Sequence, residues 1–510
     1  MRVYGKPFSL NRKEYADKVY ACWLGKNIGG TIGAPYEGTR EMLDIPGFAT
    51  PEGVALPNDD LDLQLVWLHA MEELGPYAVT PQSLGDMWLS FITPWWNEYG
   101  ICKANMQRGL IPPLSGQYKN SWKNSNGAWI RTEIWATLLP ASPDAAVKYA
   151  YYDASVDHGH AEGTYAAAFI AAVESAAFVV SDIRELIEIG LKRIPEDSRV
   201  AKTIALLLKL YDSGKPWQDA RNAIQQANSD IGDGWFEAPS NVGYAMLGIL
   251  YGGGDFKKSM ITAVNCGDDT DCTAATVGSI LGIMGGTKAI PDDWKKHIGD
   301  SIVTISLAAG TLHYLPKTCT ELTEHIIKLA PHTLFANRST VEITDQATDD
   351  IESIADALNS TRLKAFFKER KPYSYTVSFN HSLAEVSFDK SPDISPLESI
   401  DVSIRIMHNS IDFLNLFGTP KYGRDYSPNT DSFGNLAVYY SFRWLLPEGW
   451  AVSGPMSAKA DPSNTHSDGS VTAKFTITAG EKVDAVNRPV LEVVTQGMLT
   501  VGYIPITLIG

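Results

Sequence analysis

The stretch NCGDDTDCTAATVGSILG, Asn265 to Gly282, places Asp268, Asp269 and Asp271 within four positions, ahead of a run of small and apolar residues. The run predicts a helix. Asp and Thr before a helix are ordinary N-cap residues, and negative charge suits a helix N-terminus. A cap uses one carboxylate, however, and three so close repel one another. Carboxylates sharing a partly buried site raise each other's pKa or recruit a cation. Oxygen ligands at this spacing suit Mg2+, Mn2+ or Ca2+. Beyond Thr273, the small residues Ala274, Gly278 and Gly282 recur every fourth position. That spacing puts them on one helix face, where another backbone can come close and hold the acidic mouth rigid.

A second stretch repeats the layout. In PNDDLDLQLVWLHAMEELG, Pro57 to Gly75, the residues Asn58, Asp59, Asp60 and Asp62 precede a helical pattern carrying Leu65, Leu68 and Met71. Pro57 stops what comes before, and Gly75-Pro76 ends the helix. Two such mouths, far apart in the chain, would form a carboxylate-lined site for one or two cations if they met face to face. Two solvated acidic loops are the plain alternative.

The whole chain sets bounds. At 510 residues it is too long for one ordinary core and predicts two or three domains. A net charge of −16 argues against binding nucleic acid by charge, which needs a basic face. No apolar run of about 18 residues or more suggests a membrane span. The opening MRVYGKPFSLNRKEYADKVYACWLGK has no apolar signal core, which predicts a cytoplasmic protein. Cys22, Cys102, Cys266, Cys272 and Cys319 are odd in number and scattered, and read as reduced thiols.

The texture changes along the chain. Residues 1–337 read as an all-α unit; AEGTYAAAFIAAVESAAFVV, apolar nearly all round, predicts a helix inside a larger helical body. Residues 338–371 read as a helical connector. From 372 to 510, short alternating stretches such as SIDVSIRIMHN and SVTAKFTITA, separated by turn residues, predict an immunoglobulin-like β-sandwich. The shift predicts that the first unit folds alone and binds metal without the second.

Four segments, in order, resemble the ADP-ribosylglycohydrolase family. GKNIGGTIGAPYEG, Gly25 to Gly38, is similar to its first-helix signature, with Gly33, Pro35 and Glu37 in register. NDDLDLQ resembles its Thr-Asp-Asp-Thr motif. SVDHGHAEGTYAAAF resembles its His segment, with His158 in the His position, and DDTDCTAATVGSILG resembles its Asp-Thr-Asp-Thr helix. NGAWIRTEIWA, with Asn126 and Gly127, is a looser match to an Asn-Gly…Arg segment.

The resemblance covers about the first 335 residues and implies a compact all-α fold with a binuclear Mg2+ or Mn2+ centre in a cleft. It implies that the metals hold ribose hydroxyls of ADP-ribose while the bond at C1″ is cleaved. Carried over, the ligands are Asp59, Asp60, Asp269 and Asp271, with Asn58 and Cys272 in Thr positions that also ligate. Glu37 takes the place of the carboxylate that does acid/base work. Asn126 and Gly127 join the substrate side. The chain departs from the pattern in four places. Asn58 still offers a hard oxygen, Leu61 removes a polar group, and the thiol of Cys272 suits a softer ion than Mg2+. The acidic residue some members carry just before the Asn-Gly pair is absent from WKNSNG.

The chemistry also stands on its own. Glycosidic cleavage passes through an oxocarbenium-like state and needs a carboxyl acid/base or an activated water. Glu37 follows a Gly-rich turn, where a side chain can face a cleft or lie on the surface. His158 and His160 are candidates for substrate contact, although a lone His is more often structural. Trp95, Trp96, Trp122, Trp129 and Trp135 crowd the region between the first motifs, and most are expected in the core.

The leading expectation is a metal-dependent hydrolase of an ADP-ribosyl linkage, N- or O-glycosidic, acting on a small glycoside or an ADP-ribosylated substrate with one or two Mg2+ or Mn2+ ions. The alternatives are a glycosidase using the same cleft on another small furanoside, pyranoside or oligosaccharide, and a non-enzymatic binding or structural protein. The sequence specifies neither the aglycone nor an oligomeric state.

Overall fold

The first helix, Arg12–Gly33, starts where the side chain of Asn11 accepts from the amides of Lys13 and Glu14, at 2.9 and 3.2 Å. In this computed structural model, residues 7–57, 59–308, 312, 314–379, 382–408, 437–460 and 470–510 are described. The helix carries Gly25, Gly29, Gly30 and Gly33, poor helix formers. It holds because nearly all of its second half is buried against the helix Thr270–Gly285. Around this pair the chain is helical as far as residue 336. The Ala-rich helix Glu162–Ala177 is buried on almost every side, at the centre of the body. More peripheral helices, such as Arg199–Asp212, bury one stripe: Val200, Thr203, Ile204 and Leu207.

The connector adds to this helical core. Strand Val341–Thr344 pairs in parallel with Phe8–Asn11, in the register Phe8 to Val341. The helix Arg362–Glu369 sets Phe366 and Phe367 against Tyr151, with ring centroids 5.2 and 5.8 Å apart.

The C-terminal region is a β-sandwich of two antiparallel sheets. One has the order Ser374–Phe379, Ser382–Phe388, Ser399–His408, Ser470–Thr478, Ala451–Ser453. The other has the order Val501–Pro505, Val490–Thr495, Val438–Leu445, Ser457–Ala460. Alternate residues turn inward, as the period of two requires. Val402, Ile404 and Ile406 face Phe442, Leu491 and Val493 across the core, and the Phe442 and Phe475 rings meet edge-on at 5.6 Å.

The two units share a buried seam. Leu110, Leu114 and Tyr118, from the helical half of the chain, belong to the apolar core of the sandwich. The Tyr118 hydroxyl donates to Asp393 Oδ1 at 2.5 Å, and Thr507 Oγ1 donates to the Gly109 carbonyl at 2.8 Å. Nothing in the periodicity of residues 105–120 marks them as the underside of a second domain.

Candidate active site

The site is built where the first helix and the Thr270 helix touch backbone to backbone. A Cβ on Gly25 would lie 2.2 Å from the Gly278 carbonyl oxygen, one on Gly29 2.3 Å from Ala274, and one on Gly33 2.3 Å from the Thr270 oxygen. The stripe Ala274, Gly278, Gly282 therefore meets a second stripe on the first helix. Thr270 Oγ1 locks the upper end by donating to the Gly33 carbonyl at 2.8 Å. This contact sets Glu37, just past the end of the first helix, beside the Asp269–Asp271 mouth.

Two of the clustered carboxylates are clamps. Asp268 takes a φ of +69°, uncommon for a non-glycine residue. Its backbone pairs with Gly38 and Thr39, and its carboxylate accepts from the Phe236 amide at 2.9 Å and from Asn241 Nδ2 at 3.0 Å. Asp62 points along the helix Asp59–Leu74, and its Oδ2 accepts from the amides of Ile305 and Ser306, both at 2.6 Å. Each fixes a loop beside the site.

The other acids converge. Oxygens of Asp59, Asp60 and Asp271 lie within 4.8 Å of one another, and so do the ligand atoms of Asp269, Asp271 and Cys272. Asp269 Oδ1 and Asp271 Oδ1 are buried with no hydrogen-bond partner. The second oxygen of Asp269 accepts from Asn126 Nδ2 at 2.7 Å. Glu37 stands at the open side, exposed. Asn58 lies outside the described residues.

The electrostatics are those of a site short of positive charge. Asp271, then burial, then Asp59 push the Glu37 carboxyl up to about 7. Burial, then Asp271 and Asp62, push Asp59 up to about 7. Asp269 is raised further by burial and by Asp271 and Glu37. Burial raises Asp60 too, and Lys26 beneath it works the other way. Lys26 is itself held by Glu133 Oε1 at 2.9 Å and the Ile130 carbonyl at 2.6 Å. Unpartnered, buried carboxylate oxygens crowded together fit a divalent cation.

A second wall stands behind Asn126. The Asn126 Oδ1 accepts from Trp129 Nε1 at 3.0 Å, which aims its amide nitrogen at Asp269. Gly127 gives its carbonyl to Arg131 and packs so tightly on Glu98 that a Cβ would lie 2.2 Å from Glu98 Oε1. Arg131, wholly buried, donates to both oxygens of Asp153 and both of Asp157. Asp157 Oδ1 in turn lies 2.8 Å from His158 Nδ1, and His158 Nε2 lies 3.3 Å from Ser125 Oγ. Burial alone would lower the His158 pKa; the charge and hydrogen bond of Asp157, with Glu98, outweigh it and raise it.

His158 and His160 part company. The helix Pro143–His158 ends, and Gly159 at φ +59° turns the chain. The structure does not bring His160 to the acidic cluster. It lines a small cavity against the sandwich, with Tyr151, Arg370 and Ser374, where burial and then Arg370 lower it to about 3. Of the tryptophans, Trp129 and Trp135 are core, whereas Trp95 and Trp96 are half exposed. Sequence reasoning missed Glu98 and Arg131. The Arg of NGAWIR was a signal for the second, but Glu98 carries none, because its partners come from distant segments.

A family model described as ADP-ribosylglycohydrolase matches residues 11–326. A protein of Archaeoglobus fulgidus, described only as uncharacterized, is 27% identical over 307 residues, 56% of this chain and 92% of its own length. Among solved structures, an ADP-ribosylglycohydrolase-related protein complex aligns with a TM-score of 0.42 and 20% identity, over 64% of this chain and 99% of that one. A FixG-related protein from Vibrio parahaemolyticus aligns with a TM-score of 0.17 and 7% identity, over 26% of this chain and 97% of that one. The chain belongs to the ADP-ribosylglycohydrolase family, a family of glycohydrolases. No helix among the described residues is long and apolar enough to cross a membrane.

Proposed function

On the premise of that membership, we propose that the chain hydrolyses the N- or O-glycosidic bond at C1″ of an ADP-ribosyl group, with Mg2+ or Mn2+ as cofactor. The observation that carries this reading is the meeting of two acidic helix mouths with Glu37 at their open side. Asp59, Asp60, Asp269 and Asp271 would hold the cation, with Asn58 and Cys272 completing the set. Once bound, it would neutralise the crowded carboxylates and orient sugar hydroxyls.

Glu37 is the acid/base. A carboxyl at the exposed edge of the cluster can give a proton to the departing group and take one from water. The C1″ bond to the leaving group breaks, the water oxygen takes its place, and the departing atom leaves protonated. Asn126, Gly127 and His158 form the wall on the Asp269 side, and Arg131 holds Asp157 and through it His158. His160, on the far side of the turn, has no part in this reading.

The test sets an ADP-ribosylated conjugate beside a plain furanoside and a pyranoside, each with Mg2+ or Mn2+. Glu37→Gln is expected to slow cleavage of the conjugate by about 10²–10⁴-fold with cation affinity little changed. Unchanged activity removes Glu37 from the chemistry. Cleavage of the plain glycosides alone replaces the ADP-ribosyl substrate with another sugar, a reading that Leu61 and Cys272 in Thr positions favour.

A further inference from the structure

The acidic cluster is not uniform in its donor atoms. Asp59, Asp60 and Asp271 form one set of oxygens, and Asp269, Asp271 and the Cys272 sulfur form another, each within 4.8 Å. Ligands at about 2.0–2.6 Å from one ion cannot be more than about 5 Å apart, so each set can close on an ion with Asp271 common to both.

Cys272, although part of the apolar core of the helical unit, makes a different hydrogen bond from Cys102 and Cys266. Cys102 and Cys266 donate to backbone carbonyls of their own helices, Tyr99 and Thr262. Cys272 Sγ instead donates to Asp60 Oδ1 at 3.5 Å, across from the opposite helix, and lies against Asp269 as well. In the same cluster, the unpartnered Oδ1 atoms of Asp269 and Asp271 belong to residues only 5% and 7% exposed. Sulfur and carboxylate oxygens thus share one buried cluster.

We propose that, of the two cation positions the family resemblance implies, the sulfur-bearing one at Asp269, Asp271 and Cys272 selects a thiophilic divalent ion such as Zn2+, Co2+ or Fe2+ over Mg2+, whereas the all-oxygen one at Asp59, Asp60 and Asp271 does not. Thiolate is soft and prefers these ions, whereas Mg2+ keeps to oxygen. On coordination the Cys272 thiol loses its proton to solvent and the sulfur binds as thiolate. This inference rests on the cation-dependent reading above and adds to it the identity of one ion.

The test strips the full-length protein of metal with a chelator and titrates it with Co2+. The wild type is expected to bind two equivalents, and one of them gives a thiolate-to-cobalt charge-transfer band in the near ultraviolet. Cys272→Ser is expected to keep two equivalents and lose the band. Asp59→Asn, which leaves the sulfur position intact, is expected to lose one equivalent and keep the band. In competition, Mg2+ should displace one Co2+ of the wild type at least about 100-fold less readily than the other, with the gap narrowed to under about 10-fold in Cys272→Ser. Two bound Co2+ with no band, a band that survives in Cys272→Ser, or equal displacement of both ions overturns the unequal positions alone. No Co2+ bound by the wild type overturns the cation-dependent reading with it.

Discussion

Gly29→Ala tests whether the meeting of the acidic mouths depends on backbone contact between two helices. A Cβ at residue 29 would stand 2.3 Å from the carbonyl carbon and oxygen of Ala274 and 2.4 Å from the Ala275 nitrogen. Ordinary contact between such atoms is about 3.5–4.0 Å, so the helices must part by about 1 Å or more. The obstacle is backbone, which no rotamer change relieves. Overpacking of this kind costs about 1–3 kcal/mol and occasionally more. The better helix propensity of Ala offsets about 1 kcal/mol of it. The expected net loss is therefore up to about 2 kcal/mol, the overpacking cost less the propensity gain. The functional effect is larger, because Gly29 lies one turn from Gly33, which touches Thr270 and Asp271. A misplacement of about 1 Å costs on the order of 10²-fold in rate. Urea unfolding and calorimetric titration with Mn2+ read the two effects separately. We expect a lower urea midpoint and cation binding weakened by about 10-fold or more. A variant as stable as the parent, with unaltered cation affinity, refutes the idea that this contact sets the site.

Three further outcomes follow from the geometry. In the metal-free protein Glu37 and Asp59 sit at about 7 and Asp62 and Asp268 at about 6. Raised carboxyls stabilise the fold fully below their unfolded values near about 4, and that contribution is lost as pH rises through about 6 to 7. Melting scans should show these carboxyls lowering the metal-free Tm across that window, with the gain from added Mn2+ largest at its upper end; a gain that shrinks with rising pH counts against the argument. Asp62→Asn weakens the charge-assisted acceptor for Ile305 and Ser306, so exchange of those two amides should quicken by about 10-fold while cation affinity holds. A chain ending at residue 371 bares Leu110, Leu114 and Tyr118, and size-exclusion chromatography should find it aggregated; a monodisperse fragment would show the seam to be dispensable.

Much was legible in the sequence because it was local. Carboxylates ahead of a helical pattern, a four-residue spacing of Ala274, Gly278 and Gly282, and the switch from helical to alternating texture each follow from fixed periods of 3.6 and 2. The family resemblance could be read from four short segments for the same reason. What each carboxylate does was decided by the tertiary structure. Asp268 and Asp269 are adjacent and chemically identical, yet one accepts from Phe236 and Asn241 while the other turns an unpartnered oxygen inward. Asp62 looked like part of the first cluster until its oxygen met the amides of Ile305 and Ser306. His158 and His160, two residues apart, face different neighbours because Gly159 turns the chain between them. Glu98 reaches Gly127, and Leu110 reaches the sandwich, through approaches that no spacing encodes. Sequence periodicity fixes which residues share a face. A carboxylate's role depends on which donors, charges and backbones meet that face, and those arrive from segments far away in the chain.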